Sequence, residues 1–194
     1  MQKRSKATLA RSVAMALLSA MSIVLGKLLA INLGEVLRLS FENLPILFAA
    51  LALGPIAGAA VGLLADVVGC LIVGYVINPL VTLGAVAIGG AAGLAMRFLP
   101  ERLPEWARVS ISVAAAHAIG SVVIKTVGLS GFFGMPLGVL MLWRLLNYLL
   151  VGAAESALLV ILIKNRGVRM AIASIKGEKG HARHTEEEEN SDEL

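Results

Sequence analysis

The chain has 194 residues, 58% of them hydrophobic and 15% charged, with a mean hydropathy of +0.84. Soluble domains carry about 25% charged residues, so there is too little polar surface here to cover a water-soluble globule, and an integral membrane protein is implied. The net charge of +4 comes largely from bases flanking apolar runs, which argues against a nucleic-acid face, and a single cysteine, Cys70, excludes an intrachain disulfide and a cysteine-rich metal site.

A membrane-spanning helix needs about 20 mostly apolar residues at ~1.5 Å each. The first predicted span covers residues 13–29. Its basic start and apolar run resemble a signal peptide, but the run is long and no small-residue cleavage site ends it, so it reads as a retained span. Residues 44–77 are apolar almost throughout. As one helix they would reach roughly 50 Å, well beyond the ~30 Å of hydrocarbon. The pair Gly54-Pro55 breaks the run into a short second helix, 44–53, extended at its start by 37–41, and a third, 56–73. The fourth span is 80–94. A charged connection with two prolines follows over 97–108, and the fifth span is 109–127. Residues 128–138, with four glycines and a proline, predict a loop before the sixth span, 139–163. The last stretch is polar and then acidic, ending in Glu186–Glu189 and Asp192-Glu193. The expected architecture is an all-α, six-helix membrane domain over 1–170 and a disordered charged tail over 171–194.

Lysine and arginine placement gives an orientation. Lys3, Arg4, Lys6 and Arg11 precede the first span; Arg97, Arg102 and Arg108 lie between the fourth and fifth; Lys164, Arg166 and Arg169 follow the sixth. With six spans all three groups fall on one side, which predicts cytoplasmic termini. Four spans remain an alternative if the second and fourth runs are re-entrant. Small residues recur every four positions at Ser12/Ala16/Ala20, Gly54/Gly58/Gly62, Gly89/Gly93 and Ser112/Ala116/Gly120. Such faces let helices approach closely in lipid. Most read as internal packing, and the first-span stripe with Ala16 and Ala20 is the one singled out for a partner.

Ionisable groups within spans cost roughly 2.5–3.5 kcal/mol near the centre and call for a reason. Lys27 lies near a span end, where it can snorkel. Asp66 is mid-span; Arg144, Asn147 and Glu155 share the sixth span; Arg38, Glu42 and Asn43 lie where the first outer loop enters the second helix. The topology puts Arg38, Lys125 and Arg144 in the outer half, which suits an anionic solute. The alternative for Arg144 is an ion pair with Asp66 or Glu155 that holds the bundle together. His117 reads as a hydrogen-bonded core residue. Tyr75, Phe132, Phe133, Trp143 and Tyr148 form either an aromatic belt or, with Trp143 beside Arg144, a stacking wall for a flat ring. No His-Glu-x-x-His pattern, no phosphate-binding loop and no Gly-x-Gly-Asp is present, so neither an enzyme nor a cofactor or metal site is expected. The two related halves usual in secondary transporters are missing too, which suggests a solute-binding protein that borrows its energy from a partner.

Several stretches in order carry a resemblance: Arg38-Leu-Ser-Phe-Glu-Asn-Leu-Pro45, Leu53-Gly-Pro-Ile-Ala-Gly58, Val61-Gly-Leu-Leu-Ala-Asp66-Val-Val-Gly69, Asn78-Pro79, Lys125-Thr-Val-Gly-Leu129, Gly134-Met-Pro136 and Arg144. Together, over roughly residues 8–168, the chain resembles the folate-family substrate-binding (S) components of energy-coupling factor (ECF) transporters. The resemblance implies a six-helix fold in the bacterial plasma membrane that binds a vitamin from outside. It also implies docking on a transmembrane coupling subunit with two ATPases, with Ala16 and Ala20 facing the coupling subunit. On this reading Arg38, Lys125 and Arg144 hold carboxylates, Asn43, Asn78 and Asn147 orient the ligand, and Trp143 stacks on its ring. The other readings left open are an S component for a different vitamin and an autonomous small proton-coupled carrier or channel using Asp66 and Glu155.

Overall fold

The computed structural model describes residues 2–33, 37–134 and 136–176. The elements follow the apolar runs. Helix α1 (Gln2–Ile23) continues into a π-helical segment, Val24–Leu28. A small antiparallel hairpin follows, β1 (Ile31–Leu33) and β2 (Leu37–Leu39), with Asn32 opposite Arg38. Within the helical extension expected over 37–41, residues 37–39 are therefore a strand, and the other regular elements among the described residues are helices joined by short connections. β-branched and leucine residues alternating with polar ones suit a pleated pair.

Helix α2 (Asn43–Leu53) ends at Gly54, whose φ of 99° is open to glycine and strained for other residues. Pro55 then opens α3 (Pro55–Val73), where its missing N–H costs nothing. Gly54 falls in the four-residue spacing of the packing glycines, yet a Cβ there would meet nothing within 4 Å, so its work is to turn the chain. Gly74, in the left-handed region, stops α3. Asn78 caps α4 (Pro79–Phe98), its Oδ1 accepting from the N–H groups of Leu80 at 3.0 Å and Val81 at 3.4 Å.

The fifth apolar run is a single long rod in three parts: α5 (Glu105–Ala116), a π-helical segment (His117–Ile124) and α6 (Lys125–Phe133). The loop expected over 128–138 is thus largely helix. Its glycines mislead because Gly128 packs on α4, where a Cβ would come within 2.7 Å of Leu80 Cβ. Helix α7 (Leu137–Lys164) follows, then α8 (Arg166–Lys176). Helix α8 crosses the expected domain boundary at 171, so residues 171–176 are helical. Its Ile172 and Ile175 pack against Ala52, Leu53 and Ala57, while its bases face outward. Residues 177–194, the rest of the expected tail, lie outside the described residues.

Among the described residues five helices are long and apolar enough to cross a membrane, Thr8–Lys27, Pro55–Val73, Pro79–Phe98, Glu105–Gly131 and Leu137–Lys164, and Asn43–Leu53 is a shorter apolar helix. The expected second span, α2, has only 11 residues, and it is the centre of the bundle. Ile46, Leu47, Ala49 and Ala50 on it meet Val61, Ile88, Val113 and Leu159 from the helices around it. A helix that is apolar on every side is one that is buried on every side. Alongside it, α3 and α4 interlock. A Cβ on Gly89 would collide with the backbone of Gly58, and one on Gly93 would lie 2.5 Å from Pro55 Cα. This is backbone-to-backbone packing of the small-residue kind, as the spacing at Gly58/Gly62 and Gly89/Gly93 suggested. Ser12, Ala16 and Ala20, by contrast, lie exposed along α1.

Candidate functional site

At the hairpin end of the bundle the helices part around a cavity of about 660 Å³. Its walls come from the ends of α3 and α4, from α6 and from the first half of α7. Five of the seven residues expected to bind the ligand line it: Asn78, Lys125, Trp143, Arg144 and Asn147. Asn78 spends its oxygen on the cap of α4 and donates one N–H to Gly128 O at 3.0 Å, so one N–H is left for a ligand. Lys125 is 5% exposed, with Nζ 3.4 Å from Glu42 Oε1. Arg144 donates from Nε to Ser121 O at 3.1 Å, and its guanidinium carbon lies 5.7 Å from the centre of the Tyr148 ring.

Two expected residues stand elsewhere. Asn43 is 1% exposed and sits beneath the cavity, facing a separate void of about 20 Å³ that it shares with Ser22, Glu42, Asp66 and Lys125. A void of that volume is the size of one water, and neither polar atom of the Asn43 amide has a partner among the described residues. Arg38 falls in β2, opposite Asn32, and its side chain lies outside the described residues. Phe132 and Phe133 close α6, and their side chains also lie outside.

Sequence reasoning did not assign several of the lining groups to the ligand site. Lys27, expected to reach for the membrane surface, turns into the cavity, its Nζ 5.6 Å from the centre of the Tyr75 ring. Asp66 and Glu42 line it as well. Asp66 accepts a hydrogen bond from Thr82 Oγ1 at 2.6 Å, not the ion pair with Arg144 considered from the sequence. Glu155 does not reach Arg144 either; it lies 2.6 Å from His117 Nε2. His117 is the buried, hydrogen-bonded core residue expected. The available signal was charge in the middle of apolar runs; what it lacked was the direction in which each side chain points.

The cavity thus presents Lys27, Lys125 and Arg144 against Glu42 and Asp66, with Tyr75, Trp143 and Tyr148 around them. Clefts of ~300–1,000 Å³ with a few convergent polar groups on an apolar and aromatic wall are the usual form of small-molecule sites. Three cations against two carboxylates favour an anion, and the aromatic faces suit a flat ring. Among the described residues no group of three or more His, Cys, Asp or Glu side chains is placed to hold a metal ion.

The fold has solved counterparts. "Crystal structure of FolT bound with folic acid" superposes with a TM-score of 0.63 at 24% identity, covering 78% of this chain and 92% of that one. "Structure and mechanism of the S component of a bacterial ECF transporter" gives 0.62 at 18% identity, covering 79% and 93%. At these identities the likeness is one of fold. No curated protein matches the sequence. Residues 10–175 match the family described as "ECF transporter, substrate-specific component". With nearly the whole membrane domain inside that match, this chain belongs to the substrate-specific components of ECF transporters.

Proposed function

We propose that the chain captures an anionic vitamin, folate or a close relative, from the outer face of the bacterial plasma membrane and hands it to an ATP-driven ECF module. The observation that carries this reading is the cavity at the hairpin end, with three cations and three aromatic rings on its wall. Folate pairs a flat pterin with a glutamate that bears two carboxylates. Arg144 and Lys125 take the carboxylates, joined by Lys27 and by Arg38 from the hairpin. Trp143, Tyr75 and Tyr148 pack on the ring, Asn78 and Asn147 orient it, and Asn43 acts from the layer beneath. The carboxylates of the ligand compete with Glu42 for Lys125, which the site already holds paired with a carboxylate.

Six membrane-embedded helices with both termini in the cytoplasm fit the distribution of bases. On that orientation α8 lies at the inner surface and the cavity opens outward. The stripe at Ala16 and Ala20 is the face for the transmembrane coupling subunit, which brings two ATPases. The carrier reading needs Asp66 and Glu155 on one path. Asp66 lines the cavity, but Glu155 is fully buried and held by His117.

The test is isothermal titration of the detergent-purified chain with folate, with thiamine and pantothenate as controls. Nanomolar folate binding with silent controls is the expected result. Binding to a control alone moves the substrate to another vitamin. Uptake into liposomes by the chain alone, with no ATPases, overturns the reading in favour of a carrier.

A further inference from the structure

Behind the cavity wall runs a buried polar chain that reaches the cavity only through two of its residues. Glu155, on α7 and fully buried, places Oε2 2.6 Å from His117 Nε2. The other ring nitrogen, Nδ1, lies 3.1 Å from Ser121 Oγ. The His117 ring stacks on Tyr148, with centroids 4.7 Å apart and 23° between planes. The carbonyl of the same Ser121 accepts from Arg144 Nε at 3.1 Å. Arg144 and Tyr148, both on the cavity wall, therefore rest on a support whose far end is the His117–Glu155 pair.

The local backbone is shaped for this. His117 and Ser121 lie in the π-helical segment His117–Ile124, a wider coil that occurs mostly as single-turn bulges, often at functional sites. Opposite them α7 carries Gly152, where a Cβ would come 3.2 Å from His117 Cδ2. That glycine opens the room the ring occupies.

Stability does not account for the pair. An ionisable group inside the membrane is costly, and a buried polar pair commonly contributes no more to stability than apolar residues of the same size. Glu155 Oε1 has no partner among the described residues, which adds to the cost. What the chain does achieve is to fix Arg144. With Nε occupied by Ser121, only the two terminal nitrogens of the guanidinium remain for a ligand, so a carboxylate must approach end-on. We infer that His117 and Glu155 are positioning residues that set the anion affinity of the cavity by holding Arg144 and Tyr148 in place. This rests on the anionic-vitamin reading above.

The experiment is a double-mutant cycle read by titration calorimetry on the full chain. Glu155→Gln is expected to weaken folate binding roughly tenfold, within the range of coupling through a shared network. Arg144→Lys keeps the charge but loses the Nε bond to Ser121, so in that background Glu155→Gln should cost clearly less, leaving only what passes through Tyr148. Equal and additive losses in both backgrounds overturn the inference, because a merely structural Glu155 would weaken both alike; so does unchanged binding in Glu155→Gln. If Glu155→Gln does not fold, Ser121→Ala carries the same cycle: it cuts the link to His117 while leaving the carbonyl in place, with the same two outcomes. If the wild-type chain takes a different anionic vitamin, the cycle is run with that one, so the substrate and the positioning role fail separately. A wild-type chain that binds no anion at all sinks both.

Discussion

The seam between α3 and α4 and the wall between the π-helical segment and α7 are held by opposite chemistry. At the seam, Gly58, Gly62, Gly89 and Gly93 let backbone meet backbone, and the polar contact between the two helices, Thr82 to Asp66, lies nearer the cavity. At the wall, Arg144, Ser121, His117, Glu155 and Tyr148 form a chain of directed contacts at defined distances. The glycine part of the seam tolerates no added atom and holds by shape. The wall accepts exact placement of a few polar groups at the cost of burying them. In lipid, close packing builds the bundle, because there is no hydrophobic drive between helices. Directed polar contacts then position the side chains that face a ligand.

Four variants sharpen or break that division. The largest effect is expected for Gly89→Leu, whose side chain has to enter the backbone of Gly58. Overpacking of this kind costs ~1–3 kcal/mol or more, and here the obstacle is main chain that has no rotamer to change. The expected outcome is loss of a monodisperse peak on size exclusion in detergent; a well-folded variant would mean the seam is looser than described. Next comes Arg144→Ala, which should leave the peak intact and weaken ligand binding by about 10- to 100-fold, the worth of a hydrogen bond between charged groups. Misfolding of this variant would assign the wall to stability and erase the contrast.

A smaller change of the opposite sign is expected for Glu42→Gln. It removes the carboxylate 3.4 Å from Lys125 and so frees that cation for the ligand. Calorimetry should show binding a few-fold tighter, on the order of 1 kcal/mol. The smallest effect on the isolated chain is expected for Ala16→Leu with Ala20→Leu. Both sites are exposed on α1, so folding and ligand affinity should stay unchanged. Co-purification with the coupling subunit and ATPases should be lost, which would separate small residues that face a partner from those of the seam.

Much of this was legible in the sequence. The spans come from length and hydropathy, and the break at Gly54-Pro55 from backbone chemistry alone. The glycines at 58, 62, 89 and 93 announce close packing by their spacing. What sequence spacing does not carry is which helix a small stripe meets: Ala16 and Ala20 repeat the pattern of Gly89 and Gly93 yet remain exposed. Gly128 and Gly131 look like a loop because glycine weakens helices in water, whereas here α6 runs through both. Among the site residues, charge inside apolar runs pointed to Lys125 and Arg144. It did not show that Lys27 turns inward, that Asn43 sits a layer below, or that Glu155 finds His117 at a separation of 38 residues. Those are facts of helix rotation, settled only when the whole bundle is assembled.

The brevity of α2 has a consequence for how such a chain is made. Eleven residues reach about 16 Å, roughly half the hydrocarbon thickness. Lipid alone cannot satisfy its ends, since a helix leaves four N–H and four C=O groups without internal partners. The segment therefore has no stable transmembrane life of its own during synthesis. Its place depends on its neighbours: α3, joined to it through Gly54-Pro55, and α1, α4 and α7 around it. A substitution that loosens α2 from them would be expected to show itself first as degradation of the newly made protein rather than as weakened binding.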